Sequence, residues 1–146
     1  MRQILIGAGF LTWALAGVGV AAPGALECAP NKVARGEQIV TDVYLFRPSG
    51  ATATIADELT IGIHEGPVAA TLQSTSNGGY EVRWQVKGIP VTAIRSAEGF
   101  FKTTSKVKTN ATFRMLLAKD LKTFTLRGNA GRLGRIIASG TCRAAR

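Results

Sequence analysis

The chain has one histidine, His64, and two cysteines, Cys28 and Cys142, in 146 residues. Zinc sites need three or four nitrogen, sulfur or carboxylate ligands at close spacing, and no CxxC or histidine pair occurs, so no metal and no cofactor is expected. No GxxxxGK[ST] phosphate loop, no calcium-loop pattern and no GxSxG elbow is present. That removes the common nucleotide-binding and serine-hydrolase signatures. Acidic residues are also few, nine against eighteen lysines and arginines. The basic C-terminal third has four phenylalanines but no tyrosine or tryptophan. Single-strand binders interleave stacking aromatics with cations, and these phenylalanines suit core positions of strands, so nucleic acid is not an expected partner.

What is present begins with residues 1–22. Arg2 is the sole charge before Glu27, residues 4–22 are apolar or glycine except Thr12, and small residues crowd the end. A positive start, an apolar middle and a small-residue end describe a secretory signal peptide cleaved after Ala21 or Ala22, with Ala25 as the alternative. The run contains Gly17-x-Gly19-x-x-Ala22, a formal dinucleotide-binding fingerprint; that fingerprint requires a preceding strand and a following helix, and here it lies in a segment expected to be removed. The reading is therefore a cleaved leader, residues 1–22, and a single domain, residues 23–146, that is periplasmic or secreted, with no stable membrane span after cleavage and expected as a monomer.

In that compartment Cys28 and Cys142 read as a disulfide. Glu27 before Cys28 disfavours lipidation, and nothing local marks a reactive thiol. Such a bond closes a loop of more than 100 residues, worth nominally about 4.7 kcal/mol in the chain-entropy model. It also predicts adjacent first and last strands.

Threonine and valine are common, and glycine and proline punctuate at short intervals, which favours strands and turns. Strands are expected at 38–46, 51–56, 59–63, 68–74, 80–86 and 135–143. In the run 80–86, Tyr80, Val82, Trp84 and Val86 alternate with Glu81, Arg83 and Gln85, the period of a half-buried strand. "KGIP" (87–90) reads as a break. Residues 91–108 read as two strands meeting near Glu98-Gly99. Residues 111–128 read as a hairpin with Phe113, Met115, Leu117, Phe124 and Leu126 inward, and a helix near 111–122 is the competing reading. The sum is an all-β fold of about seven to nine short strands, a small antiparallel barrel or a two-sheet sandwich.

Charge is unevenly spread. Residues 23–94 carry five basic and seven acidic side chains, net −2, whereas 95–146 carry twelve and two, net +10. A basic region attracts anionic polymers, headgroups or acidic proteins. The sharpest candidate is "LRGNAGRLGR" (126–135). There Arg127, Arg132 and Arg135 stand among glycines whose backbone N–H groups could turn toward an anion. Asn110-Ala111-Thr112 matches an N-glycosylation sequon. The functional expectation is a β-domain that binds an anionic envelope component or an acidic protein through its basic C-terminal region. The alternative is a small secreted hydrolase with a site at strand ends. No catalytic residue is assigned, since His64 sits in an apparent turn without a nucleophile motif.

Overall fold

The computed structural model describes the backbone of residues 23–96 and 102–146, and the side chains of residues 23–91 and 106–146. The expected leader, residues 1–22, and the expected turn near Glu98-Gly99 lie outside the described residues. Eight antiparallel strands, β1 (Leu26–Arg35), β2 (Tyr44–Ser49), β3 (Thr52–Ala56), β4 (Val68–Ser74), β5 (Tyr80–Ser96), β6 (Lys102–Leu117), β7 (Thr123–Asn129) and β8 (Arg135–Ala144), follow one another around a closed barrel. Each pairs with its sequence neighbours, and β8 returns to β1. Of the two architectures the sequence allowed, the barrel is the one formed.

Alternation does the sorting. On β5, Tyr80, Val82, Trp84 and Val86 point inward and are buried; on β6, so are Ala111, Phe113, Met115 and Leu117. With Tyr44, Phe46, Ile55, Phe124, Leu126 and Ile136 they fill the lumen. An eight-stranded barrel is just wide enough to be packed by its own side chains. The Trp84 and Phe113 rings stack at 5.0 Å and 7°, and Tyr44 meets Trp84 at 5.9 Å and 59°. Gly128 lies opposite Phe113. A Cβ there would fall 2.3 Å from the Thr112 carbonyl oxygen, so glycine lets β6 and β7 approach beside the stacked pair. The outer faces of β5 to β8 carry Arg83, Gln85, Thr112, Arg114, Thr125, Arg127 and Arg135, all exposed. That arrangement is the reverse of a transmembrane barrel, which turns apolar side chains to lipid. Among the described residues no helix is long and apolar enough to cross a membrane.

The seam is covalent. Cys28 and Cys142 sit directly opposite one another on β1 and β8, their sulfurs 2.04 Å apart. Both side chains are buried inside the barrel, and Glu27 and Arg143 form an ion pair on the outer side of the same pair of strands. The exposed ion pair adds little. Gly140 permits the close contact of β8 with β1, since a Cβ there would meet the Ala29 carbonyl oxygen at 2.1 Å.

The expected hairpin over 111–128 is formed: residues 111–117 are strand, not the competing helix near 111–122, because Phe113, Met115 and Leu117 fall on alternate positions and all three enter the lumen. Three other sequence expectations are corrected. Residues 59–63 are instead part of a helix, α1 (Glu58–His64). Asp57 caps it: the Thr60 N–H donates to Asp57 Oδ1 at 2.6 Å and the Asp57 N–H donates to Thr60 Oγ1 at 2.9 Å, a reciprocal capping box. Residues 37–43 form a turn and loop, so β2 starts only at Tyr44. "KGIP" does not end β5. Gly88, at φ +77°, makes a bulge that shifts register between Val86 and Ile89, and pairing with β6 then continues to Ser96.

That continuation builds an arm. β4 pairs with β5 only over Tyr80–Trp84, and β7 pairs with β6 only from Thr112 onward. Beyond those limits β5 and β6 pair solely with each other, as a two-stranded ribbon leaving the barrel. At its base the Gly88 N–H donates across the ribbon to Asn110 Oδ1 at 3.1 Å, and Thr109 Oγ1 ties the ribbon to the turn after β7 by donating to the Ala130 carbonyl at 3.2 Å. The loop 36–43, α1 and the turn 130–134 share this end of the barrel with the arm.

Two outcomes follow. Replacing both cysteines by serine, or reducing the bond, is expected to cost about 2–5 kcal/mol, equivalent to roughly 10–20 °C in thermal midpoint for a domain of this size. Calorimetry with and without reductant measures it; an unchanged midpoint would deny the bond any stabilising role. Asp57→Ala is expected to lose about 1 kcal/mol through the cap, whereas Asp57→Asn, which keeps an acceptor, loses only a few tenths. Burial holds the Asp57 carboxyl above its ordinary range. The native state therefore holds that proton to higher pH than the unfolded chain, and this group's contribution to stability falls as pH rises through the window between the two. The Asn variant should lack that slope in urea titrations.

Candidate functional site

The outer wall of β5 to β7 places three arginines side by side. Arg83 lies opposite Arg114, and Arg114 lies opposite Arg127. Like charges directly across strands are unfavourable. The chain relieves part of this with Glu81, two residues before Arg83 on the same outer face. Its carboxylate pairs with Arg83 and accepts from Arg114 Nε at 2.8 Å, with Arg114 Nη2 at 2.6 Å. The two guanidinium groups cover it, so Glu81 is only 7% exposed although it sits on the outer wall. Strand alternation alone assigns Glu81 to water, and the covering arginines are the reason it is not. The hydrogen bond from Arg83 and then that from Arg114 hold the Glu81 carboxyl below the usual range.

One carboxylate cannot serve three cations. Arg127 makes no ion pair or hydrogen bond with another side chain among the described residues. A shallow groove of about 630 Å³ runs across the row, bounded by Thr71, Gln85 and Thr112 as well as the three arginines. One rung toward the arm, Gln85, Thr112, Asn129 and Arg135 stand opposite one another in turn. Arg135 is thus a diagonal neighbour of Arg127. On β6 the even-numbered residues continue the same outward face, with Lys106 and Lys108 exposed on the arm above Asn110, Thr112 and Arg114. The stripe from Lys106 to Arg114 spans about 26 Å at strand rise.

The predicted anion loop is divided by the structure. Arg127 and Arg135 fall on the wall just described. Arg132 is carried by a 3-10 turn (Gly131–Leu133) at the barrel end. Within that turn the N–H groups of Ala130, Leu133 and Gly134 donate to loop carbonyls, and the Gly131 N–H donates to Asn129 Oδ1. These four backbone donors are occupied internally. The glycines serve turn conformation, with φ +56° at Gly131 and +86° at Gly134. Sequence reasoning missed Arg83 and Arg114. Their spacing carries no motif, and only strand register brings them beside Arg127.

His64 ends α1 and is exposed; its Nε2 accepts the bulge N–H of Lys87 at a long 3.4 Å. Among the described residues no acidic side chain is bonded to it. Among the described residues no three metal-ligating side chains converge.

Glu81→Gln is expected to destabilise the fold by about 1 kcal/mol at pH 7 and low salt, because the arginines remain half-exposed and water screens the pairs. Added salt should weaken the difference further. The depressed carboxyl sets the sign: its stabilisation is present above the ordinary glutamate range and disappears as pH falls through the lowered value. Parent and variant stabilities should converge in denaturant titrations once pH has fallen below that lowered value; a gap that persists in the acid limit would mean that the side chain's shape, not its charge, matters.

A scan against protein-family models, a search of curated proteins and a search of solved structures each gave no match for this chain.

Proposed function

We propose that the domain binds a linear polyanion along the outer wall of β5 to β8, in a periplasmic or extracellular setting. The row Arg83–Arg114–Arg127 carries this reading. Three guanidinium groups are held in register against their mutual repulsion, and one of them has no carboxylate of its own. A phosphate, sulfate or carboxylate group at Arg127 would accept bidentate, charge-assisted hydrogen bonds and relieve the row. Rigid strands fix the spacing of the cations, so little entropy is lost on binding. The stripe through Lys108 and Lys106 gives a chain-like ligand several contacts in succession, whereas a single small anion would meet only one or two. The exported setting rests on the leader-like residues 1–22 and on the buried disulfide.

The hydrolase alternative keeps one supporting observation, a pair of carboxylates, Asp42 and Glu58, in the pocket at the arm end of the barrel. Both are exposed. A carboxyl acid catalyst needs burial to keep its proton at neutral pH, so binding is the better-supported reading.

The test is elution from heparin and from phosphocellulose. The triple variant Arg114→Ala, Arg127→Ala, Arg135→Ala is expected to elute at clearly lower salt, with the salt dependence of binding reduced by about one counterion per arginine removed. A charge-matched control, Lys32→Ala, Lys119→Ala, Lys122→Ala, should shift much less. Equal shifts in the two triples would reduce the interaction to net charge and dismiss the wall.

A further inference from the structure

We infer that the arm-end mouth of the barrel is a binding site for a small cationic amphiphile: an aliphatic chain or ring bearing one positive nitrogen. This inference is independent of the anion-binding wall. The mouth is a pocket of about 700 Å³, within the range of small-molecule sites, which favour barrel mouths. Four separate parts of the chain converge on it: the loop 36–43, α1, the base of the arm and the 3-10 turn. Ile39 and Ile89 are buried beneath it, and Leu59, Ile63 and Leu133 pack partly against the core while lining it. The barrel below is filled, so a ligand would rest on an apolar floor and not thread the lumen.

Charge selects the occupant. The protein carries a formal +9, yet among the described residues no lysine or arginine lines this pocket, and two carboxylates, Asp42 and Glu58, do. Neither has a cationic partner among the described residues, where the ion pairs use Glu27 and Glu81. Taking apolar surface from water provides the affinity, and the two carboxylates favour a cation over its neutral or anionic counterpart. Gly62 also lines the pocket, and a Cβ placed on it would meet nothing within 4 Å. The helix therefore leaves room where any larger side chain would stand in the space.

Octyltrimethylammonium, octyl sulfate and octanol, each below its aggregation limit, distinguish the cases when titrated into the 23–146 domain with its disulfide intact. Calorimetry should show saturable one-to-one binding of the ammonium, with octanol weaker. The pair Asp42→Asn, Glu58→Gln should weaken the ammonium about ten-fold, equivalent to about 1.4 kcal/mol, and leave octanol unchanged. Gly62→Phe should abolish binding of both by filling the pocket. If that variant melts early, the carboxylate pair alone decides. The arginine triple should bind the ammonium as the parent does. Octyl sulfate binding lost in Gly62→Phe and as tight as the ammonium would overturn the proposal. So would undiminished ammonium affinity in the carboxylate variant, or a parent dimer that dissociates in Gly62→Phe, since a second copy would then be the occupant.

Discussion

Closure between the first and last strands governs this molecule. Every strand finds its hydrogen-bonding partners by following the chain, except that β1 and β8 must meet across its whole length. Bringing them together carries the largest loop-closure entropy of any strand pairing in the fold, because it closes the longest loop. The Cys28–Cys142 bond, at a sequence separation of 114, places a covalent link at that contact. With the ring closed, the inner faces have no choice but to share one lumen, and Tyr44, Trp84 and Phe113 pack there against one another. With the ring open, β1 and β8 would each present an unpaired edge.

The closed cylinder also separates charge. Its wall over β5 to β8 displays arginines in register, because strand pairing brings positions far apart in sequence onto one rung. Its arm-end mouth is floored by apolar side chains and rimmed by acids that come from the loop and helix connecting the earlier strands. The imbalance between the two halves of the chain, net −2 and net +10, is thus converted into a spatial one. The polyanion and the cation proposed above would address different parts of the same small domain without competing.

Much of this was legible in the sequence wherever period two was strong. Tyr80 to Val86 announced both strand and facing, and the apolar residues of 113–126 placed a hairpin against the core. The even cysteine count announced the seam. Three features were hidden for physical reasons. "LTIGI" has the β-branched composition of a strand, and only the Asp57-x-x-Thr60 cap reveals a helix, one that needs the barrel end beneath Leu59 and Ile63. "KGIP" holds the residues of a break, but a bulge uses the same glycine to reset the register and carry the strand onward. The arginine row depends on which rung faces which, a quantity fixed by turn lengths and bulges around the whole barrel and absent from any local window. Glu81 shows the same limit, since its burial is created by side chains from its own strand and from a neighbour.

The arm carries a consequence for how this protein behaves at high concentration. From Ile89 onward on β5, and up to Lys108 on β6, the ribbon has lateral backbone groups that no neighbouring strand engages. Bare ribbon edges invite addition of foreign strands and the growth of fibrils. Lys106 and Lys108 stand on one of those margins, so two copies zipping together along β6 would crowd ammonium against ammonium. That repulsion would oppose self-polymerisation along this margin.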